Sequence, residues 1–174
     1  KNEAKQADDL ATVRRGLEII LSESERAARI VRNLLTFARK RQTTRAMVDI
    51  NHVVRETLTL RSYEQRVTNI IVIDALAAGL PNVFADSHQV QQVLLNLVIN
   101  ARDATPGGGI VSVSARNRSF AEGPHSGDLV AITVADSGPG FDEKKAEQLF
   151  QPFFTTKSSG MGLRLSICKS IIEA

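Results

Sequence analysis

Gln91-Gln92-Val93-Leu94-Leu95-Asn96-Leu97-Val98-Ile99-Asn100-Ala101-Arg102-Asp103-Ala104, QQVLLNLVINARDA, sets two asparagines four residues apart within an apolar run. Val90, Val93, Leu94, Leu97, Val98 and Ala101 recur at helical spacing and form one apolar face of a helix over 86–103. Asn96, Asn100 and Asp103 follow one another at steps of four and three residues, so they share a strip beside that face. Asparagine is a poor helix-interior residue, and a solvated face is better served by Glu, Lys or Gln. What it offers is a neutral carbonyl oxygen, a ligand for a hard divalent cation that keeps several waters and also holds phosphate oxygens. A plain solvated face is the alternative as long as this helix is considered alone.

Around this helix, short strands alternate with helices. A strand is expected over 47–50, a helix over about 51–65 with Val53, Val54, Thr57, Leu58 and Leu60 inward, a β-branched strand over 69–74, and a short strand at Val83-Phe84 after the Gly79-Leu80-Pro81 turn. Asp86 or Ser87 caps the long helix. Residues 110–115 and 129–135 alternate with period two, and the polar stretch 116–128 joins them as a hairpin loop. A short helix over 143–150 and a final helix from about Gly162 complete an α+β sandwich, with mixed strands and helices on one face.

Two further clusters carry chemistry. Val134-Ala135-Asp136-Ser137-Gly138-Pro139-Gly140 ends a strand in a carboxylate and then turns on two glycines. Such a carboxylate needs a donor, which the exocyclic amine of a purine would supply, and the glycines would let backbone approach a flat ring; an ordinary Asx-type turn is the plainer reading. Thr155-Thr156-Lys157-Ser158-Ser159-Gly160-Met161-Gly162-Leu163 feeds an apolar helix, so free amides and the positive end of the helix dipole can face an anion, with Lys157 as an added charge. The spacing is not that of a P-loop. Phe150, Phe153 and Phe154 between the clusters are expected to anchor a movable lid.

The N-terminal part differs in character. Leu10, Val13, Leu17, Ile20, Ser24, Ala27, Val31, Leu34 and Ala38 alternate at steps of three and four, a heptad seam that Leu21, Ala28 and Leu35 widen to the stripe of a four-helix bundle. One helix cannot bury that stripe, so a second copy or sequence outside this chain must cover it. Of the 22 Lys and Arg, residues 1–45 hold 11 against 6 acids, but the cations are interleaved with acids along the helix and no base-reading pattern accompanies them, so no nucleic-acid partner is expected. The cluster Arg39-Lys40-Arg41 reads as a helix C-terminus and linker. No run of 18 apolar residues occurs, so no membrane contact by this fragment is expected, and the lone Cys168, in an apolar helical run, reads as a buried hydrophobe in a reducing, cytoplasmic setting.

In order, Asn-x-x-x-Asn on a helix, Asp-x-Gly-x-Gly, a phenylalanine-rich segment and Gly-x-Gly opening a helix resemble the catalytic ATP-binding domain of sensor histidine kinases of two-component systems. NLVINARDA resembles the N box, DSGPG the first glycine box, LFQPFFTTK the phenylalanine box and GMGL the second glycine box. IVRNLLTFARKRQTTRAMVDIN is similar to the second dimerisation helix running into the first strand. The resemblance covers about residues 8–174 and is nearest the nitrogen-regulator-like and oxygen-sensor-like subgroup. It implies a Bergerat-type two-layer α/β sandwich over 46–174, without its C-terminal strand region, preceded over 1–45 by part of a dimeric helical bundle. It also implies ATP and Mg²⁺ as cofactors, a homodimer through the heptad helix, and a response-regulator receiver domain as partner. By position, Asn100 would ligate Mg²⁺ and Asn96 would sit near the phosphates, where hydrolytic relatives place a glutamate base. Asp136 would receive the adenine amine, Gly138 and Gly140 would shape the base pocket, and Gly160 and Gly162 would approach the triphosphate. Asp103, Phe150, Thr156, Lys157, Met161 and Leu163 complete the expected nucleotide site.

Two departures stand out. The family's phosphoacceptor histidine lies on a first dimerisation helix that is not in this sequence, and His52, His88 and His125 read as surface residues. The fragment is therefore expected to donate phosphoryl to a supplied histidine but not to modify itself. Arg164 stands where the family usually has a third glycine, and three readings of a bulky cation there stay open: it points outward, it clamps a phosphate, or it obstructs the helix start. That exchange keeps a second function open, a nucleotide-binding scaffold that dimerises without phosphoryl transfer.

Overall fold

The computed structural model describes residues 12–25, 27–28, 31, 44–59, 69–120, 127–157 and 160–174. The chain divides into two compact units, Lys1–Gln42 and Thr43–Ala174.

In the first unit, residues 12–25, 27–28 and 31 are helical. Val13, Leu17, Ile20 and Val31 of the expected seam, and Leu21 beside it, are each more than half exposed. The seam positions Leu10, Leu34 and Ala38, the flanking Leu35 and the cluster Arg39-Lys40-Arg41 lie outside the described residues.

The second unit runs β1 (Ala46–Val48), α1 (Ile50–Thr59), β2 (Ile70–Leu76), β3 (Val83–Ala85), α2 (Ser87–Ala104), β4 (Gly109–Phe120), β5 (Gly127–Asp136), a 3-10 helix (Glu143–Gln148) and α3 (Arg164–Ile172). β1 and β3 pair antiparallel, while β2, β4 and β5 form a mixed sheet in which β2 lies parallel and β5 antiparallel to the central β4. A parallel β2–β4 pair needs a long crossover, and α2 lies within it.

The core follows from the two periodicities. Val53 and Val54 of α1, Leu94 and Val98 of α2, and Val113 and Ala115 of β4 are buried together. Ile70, Ala101 and Val111 form a second cluster toward the start of the sheet. Ile71, Ile73 and Ile110 are exposed, so the helices cover one face of the sheet, as a two-layer sandwich requires. Each fully buried aliphatic side chain contributes about 1.5–3 kcal/mol. The free thiol of Cys168 on α3 is buried too, with Sγ 3.8 Å from Val93 O of α2.

α2 is fixed at both ends by its own sequence. Asp86 Oδ1 accepts from His88 N at 2.9 Å and Gln89 N at 3.2 Å, and its other oxygen accepts from Thr44 N at 3.0 Å. At the far end Thr105 N donates to Arg102 O at 3.1 Å, and Pro106 and Gly107 stop the helix.

Several boundaries differ from the sequence expectation. The hairpin loop expected over 116–128 is shorter, because β4 continues to Phe120 and β5 begins at Gly127. Arg116, Asn117, Arg118 and Ser119 are exposed, so backbone pairing continues past the core without the apolar alternation that marks a half-buried strand. β2 starts at Ile70 and runs on to Leu76, where it still pairs with Ala115. The final helix starts at Arg164 rather than Gly162, whose φ of 63° is left-handed. α1 is described to Thr59, and the expected continuation to 65 lies outside the described residues. Among the described residues no helix is long and apolar enough to cross a membrane.

Candidate functional site

The C-terminal half of α2 meets the start of α3. Arg164 Nη1 donates to Asn100 Oδ1 at 3.2 Å and to Asp103 Oδ2 at 2.8 Å. Arg102 Nη2 reaches Asp103 Oδ1 at 3.0 Å, and Lys157 Nζ stands 3.8 Å from Asp103 Oδ2. Asn100 and Asp103 on α2 are thus one constellation with Lys157 and Arg164, which lie far along the sequence from them. Partial burial pushes the Asp103 carboxyl up, but hydrogen bonds from Arg164 and Arg102 and the charges of Lys157 and Arg164 outweigh it and hold the group below its ordinary value.

Asn96, one turn before Asn100, also faces α3, but one turn further along it, at Cys168. Its Nδ2 is buried without a regular hydrogen-bond partner. Burial pushes the Cys168 thiol up, and the Asn96 amide offsets part of that shift, which places the amide beside the sulfur. Sulfur is too weak an acceptor to satisfy the N–H, so both observations hold. A buried amide nitrogen left over in this way is a polar group with capacity for a partner.

The Asp136 turn closes on the same end of α2. Asp136 Oδ1 accepts from Gly138 N at 2.9 Å, an Asx-type turn, and Asp136 is otherwise exposed at the end of β5. Ser137 clips the turn to β4: its N donates to Ile110 O and its Oγ accepts from Ile110 N, both at 3.0 Å. A Cβ on Gly138 would stand 2.5 Å from Ala104 O, the last residue of α2, so glycine is needed there for a backbone-to-helix approach. Gly140, with φ 71°, faces open space and serves only the turn.

The third cluster closes over α3. Phe153 N donates to Gly162 O at 3.0 Å, and a Cβ on Gly162 would run into the backbone of Phe153 and Phe154. A Cβ on Gly160 would meet Thr155 Oγ1 and Lys157 Cβ. Thr156 is exposed, Met161 half-buried, and Leu163 buried at the head of α3. The phenylalanines expected to anchor a lid do so only in part. Phe150 and Phe153 are exposed and Phe154 is half-buried, so the segment is held by its backbone bond to Gly162.

A cleft of ≈ 450 Å³ opens beside Asp103, lined by Arg102, Thr105, Pro106, Gly107, Asn69 and Ile70. Asp136, Gly138 and Gly140 do not line it. Arg102 belongs to the constellation without having been singled out by sequence reasoning, since only its position next to Asp103 distinguishes it. Ser137 could have been found through its place in DSGPG. The exposed His52 Nε2 stands 3.7 Å from Glu56 Oε2 on α1.

Among the described residues there is no group of three or more His, Cys, Asp or Glu that could hold a metal. The donor set fits Mg²⁺ carried by a polyphosphate, which needs few protein ligands beyond one amide or carboxylate oxygen because phosphate and water supply the rest.

Comparison with known proteins assigns this architecture. Residues 85–174 match the family of histidine kinase-, DNA gyrase B- and HSP90-like ATPases. The chain belongs to that family, and its second unit has the fold of a sensor histidine kinase catalytic domain. It is 32% identical over 95% of its length to the C4-dicarboxylate transport sensor protein DctS of Rhodobacter capsulatus, of which it spans 24%. Full-length ShkA in complex with AMPPNP superposes with a TM-score of 0.70 at 28% identity, over 90% of this chain and 33% of that one. The histidine kinase ThkA in complex with the response regulator TrrA gives 0.66 at 33% identity, over 89% and 42%.

Proposed function

We propose that this chain is the ATP-binding catalytic portion of a sensor histidine kinase that presents ATP for transfer of its γ-phosphoryl group to a histidine on a dimerisation helix outside this sequence, for relay to a response-regulator aspartate. The observation that carries the reading is the convergence of Asn100 and Asp103 with Lys157 and Arg164: an amide oxygen for a metal stands among cations suited to a triphosphate. In the transfer the histidine nitrogen bonds to Pγ as the Pγ–O bond to ADP breaks, and ADP leaves with the bonding electrons.

Phosphoryl transfer asks a protein mainly for positioning and for stabilisation of charge. Mg²⁺, when bound, neutralises charge on the phosphate oxygens. Asn100 Oδ1 would ligate it. Asp136 would accept from the purine amine through the oxygen not engaged by Gly138 N, while Gly138 and Gly140 shape the base pocket. Gly160, Met161, Gly162 and Leu163, with Phe150 and Thr156, would line the phosphate side, and Lys157 would reach a phosphate. Asn96 takes the place of a general base, and an amide cannot remove a proton from water, so bound ATP is spared hydrolysis. Relatives support this reading: ShkA holds AMPPNP and ThkA a response regulator. The exposed stripe of Val13, Leu17 and Ile20 suits a homodimer through the heptad helix in a cytoplasmic signalling protein.

The presence of Arg164 on Asn100 is the one observation that favours a scaffold without transfer. γ-Labelled ATP, mixed with this chain and a separate polypeptide bearing the first dimerisation helix, separates the two. Acid-labile label on histidine is the expected result; ATP bound with no label transferred would establish the scaffold.

A further inference from the structure

We infer that Arg164 is a triphosphate ligand, held between nucleotide-binding events by Asn100 and Asp103. The inference rests on the proposed ATP site and adds a residue to it. Asn100 Oδ1 accepts from Arg164 Nη1 at 3.2 Å, and the same oxygen is the one proposed for the metal. A guanidinium and a divalent cation cannot share that oxygen without close repulsion between like charges. Loading the site therefore displaces Arg164 from Asn100. The anion that arrives with the metal is the triphosphate, and a guanidinium offers a planar fork of donors matched to phosphate oxygens.

Charge and geometry around Asp103 favour the exchange. Arg102, Lys157 and Arg164 all face this one carboxylate, at 3.0, 3.8 and 2.8 Å, which leaves the cluster with net positive charge. When Arg164 moves away, Arg102 remains on Asp103 at 3.0 Å, so the partly buried carboxylate is not stranded. The Arg164 side chain is 43% exposed, which leaves it room to swing. Its backbone opens α3 directly after the Gly160–Leu163 loop, on the side where the phosphates are proposed to lie. A glycine at 164 would provide none of this. The substitution that seems to degrade the glycine box instead places a cation in it.

Calorimetry in the presence of Mg²⁺ with ATP and with adenosine, on the wild type, R164Q and R164K, tests the inference. R164Q is expected to bind ATP about 10-fold or more weakly, as loss of one charge-assisted bond implies, with R164K between it and the wild type and adenosine affinity unchanged in both. Equal or tighter ATP binding by R164Q would overturn the inference, and so would an equal loss for ATP and adenosine. A wild type that binds adenosine and ATP equally would overturn it as well. A wild type that binds neither would remove the proposed site itself, and this inference with it.

Discussion

Asp136 accepts from Gly138 N with one oxygen, and asparagine at this position keeps an oxygen for that bond. Asp136→Asn should therefore leave the turn intact while weakening ATP binding about 10- to 100-fold, since a hydrogen bond to a charged group contributes ~1.5–3 kcal/mol. Unchanged affinity in a titration would take Asp136 out of the site. Asp103 gives a second test through pH. Its cationic neighbours hold its pKa below the ordinary 3.8, so its ionised form favours the folded state above that value, and the contribution disappears as pH falls below 3.8 through the folded pKa. Urea midpoints measured at descending pH should fall more steeply in this range for the wild type than for Asp103→Asn; parallel curves would show that the ion cluster does not stabilise the fold. At this scale the sequence exposed which residue types cluster, but not their partners. The need for glycine at 138 comes from Ala104 and at 162 from Phe153 and Phe154, and backbone approaches of that kind leave no local pattern.

Elements were legible where one face is apolar and the ends carry capping chemistry. α2 combines both, with a periodic face from Val90 to Ala101 and Asp86 as its cap, and its observed span differs from the expected one by a residue at each end. The extension of β4 past Ala115 was hidden because Arg116, Asn117, Arg118 and Ser119 are all polar and exposed, which leaves no apolar alternation to read. The junction of the phenylalanine segment and the glycine loop gives an element-scale prediction. Gly162 has φ 63° and no space for a Cβ, whereas Gly140 has φ 71° and open space. Gly140→Ala should cost about 1–2 kcal/mol, the left-handed penalty alone, and Gly162→Ala more, because Phe153 and Phe154 must also move. Thermal melts of the two variants decide this. An equal loss would mean that the Phe153–Gly162 junction yields at no energetic cost.

For the whole molecule, an α+β sandwich with helices on one face was readable from the change in period along the chain, and the four ordered clusters pointed to the family that residues 85–174 match. That Arg164 meets Asn100 was not readable, because the two residues stand 64 positions apart in sequence. In the proposed site Asp136 would take the purine, while Asn100 and the loop before α3 would take the metal and the phosphates. Titration of the folded chain with ATP in excess Mg²⁺, followed by calorimetry, tests this most directly. One saturable site per chain is predicted, weakened when Mg²⁺ is removed by EDTA. The absence of binding heat with ATP or ADP up to millimolar concentration would contradict the account.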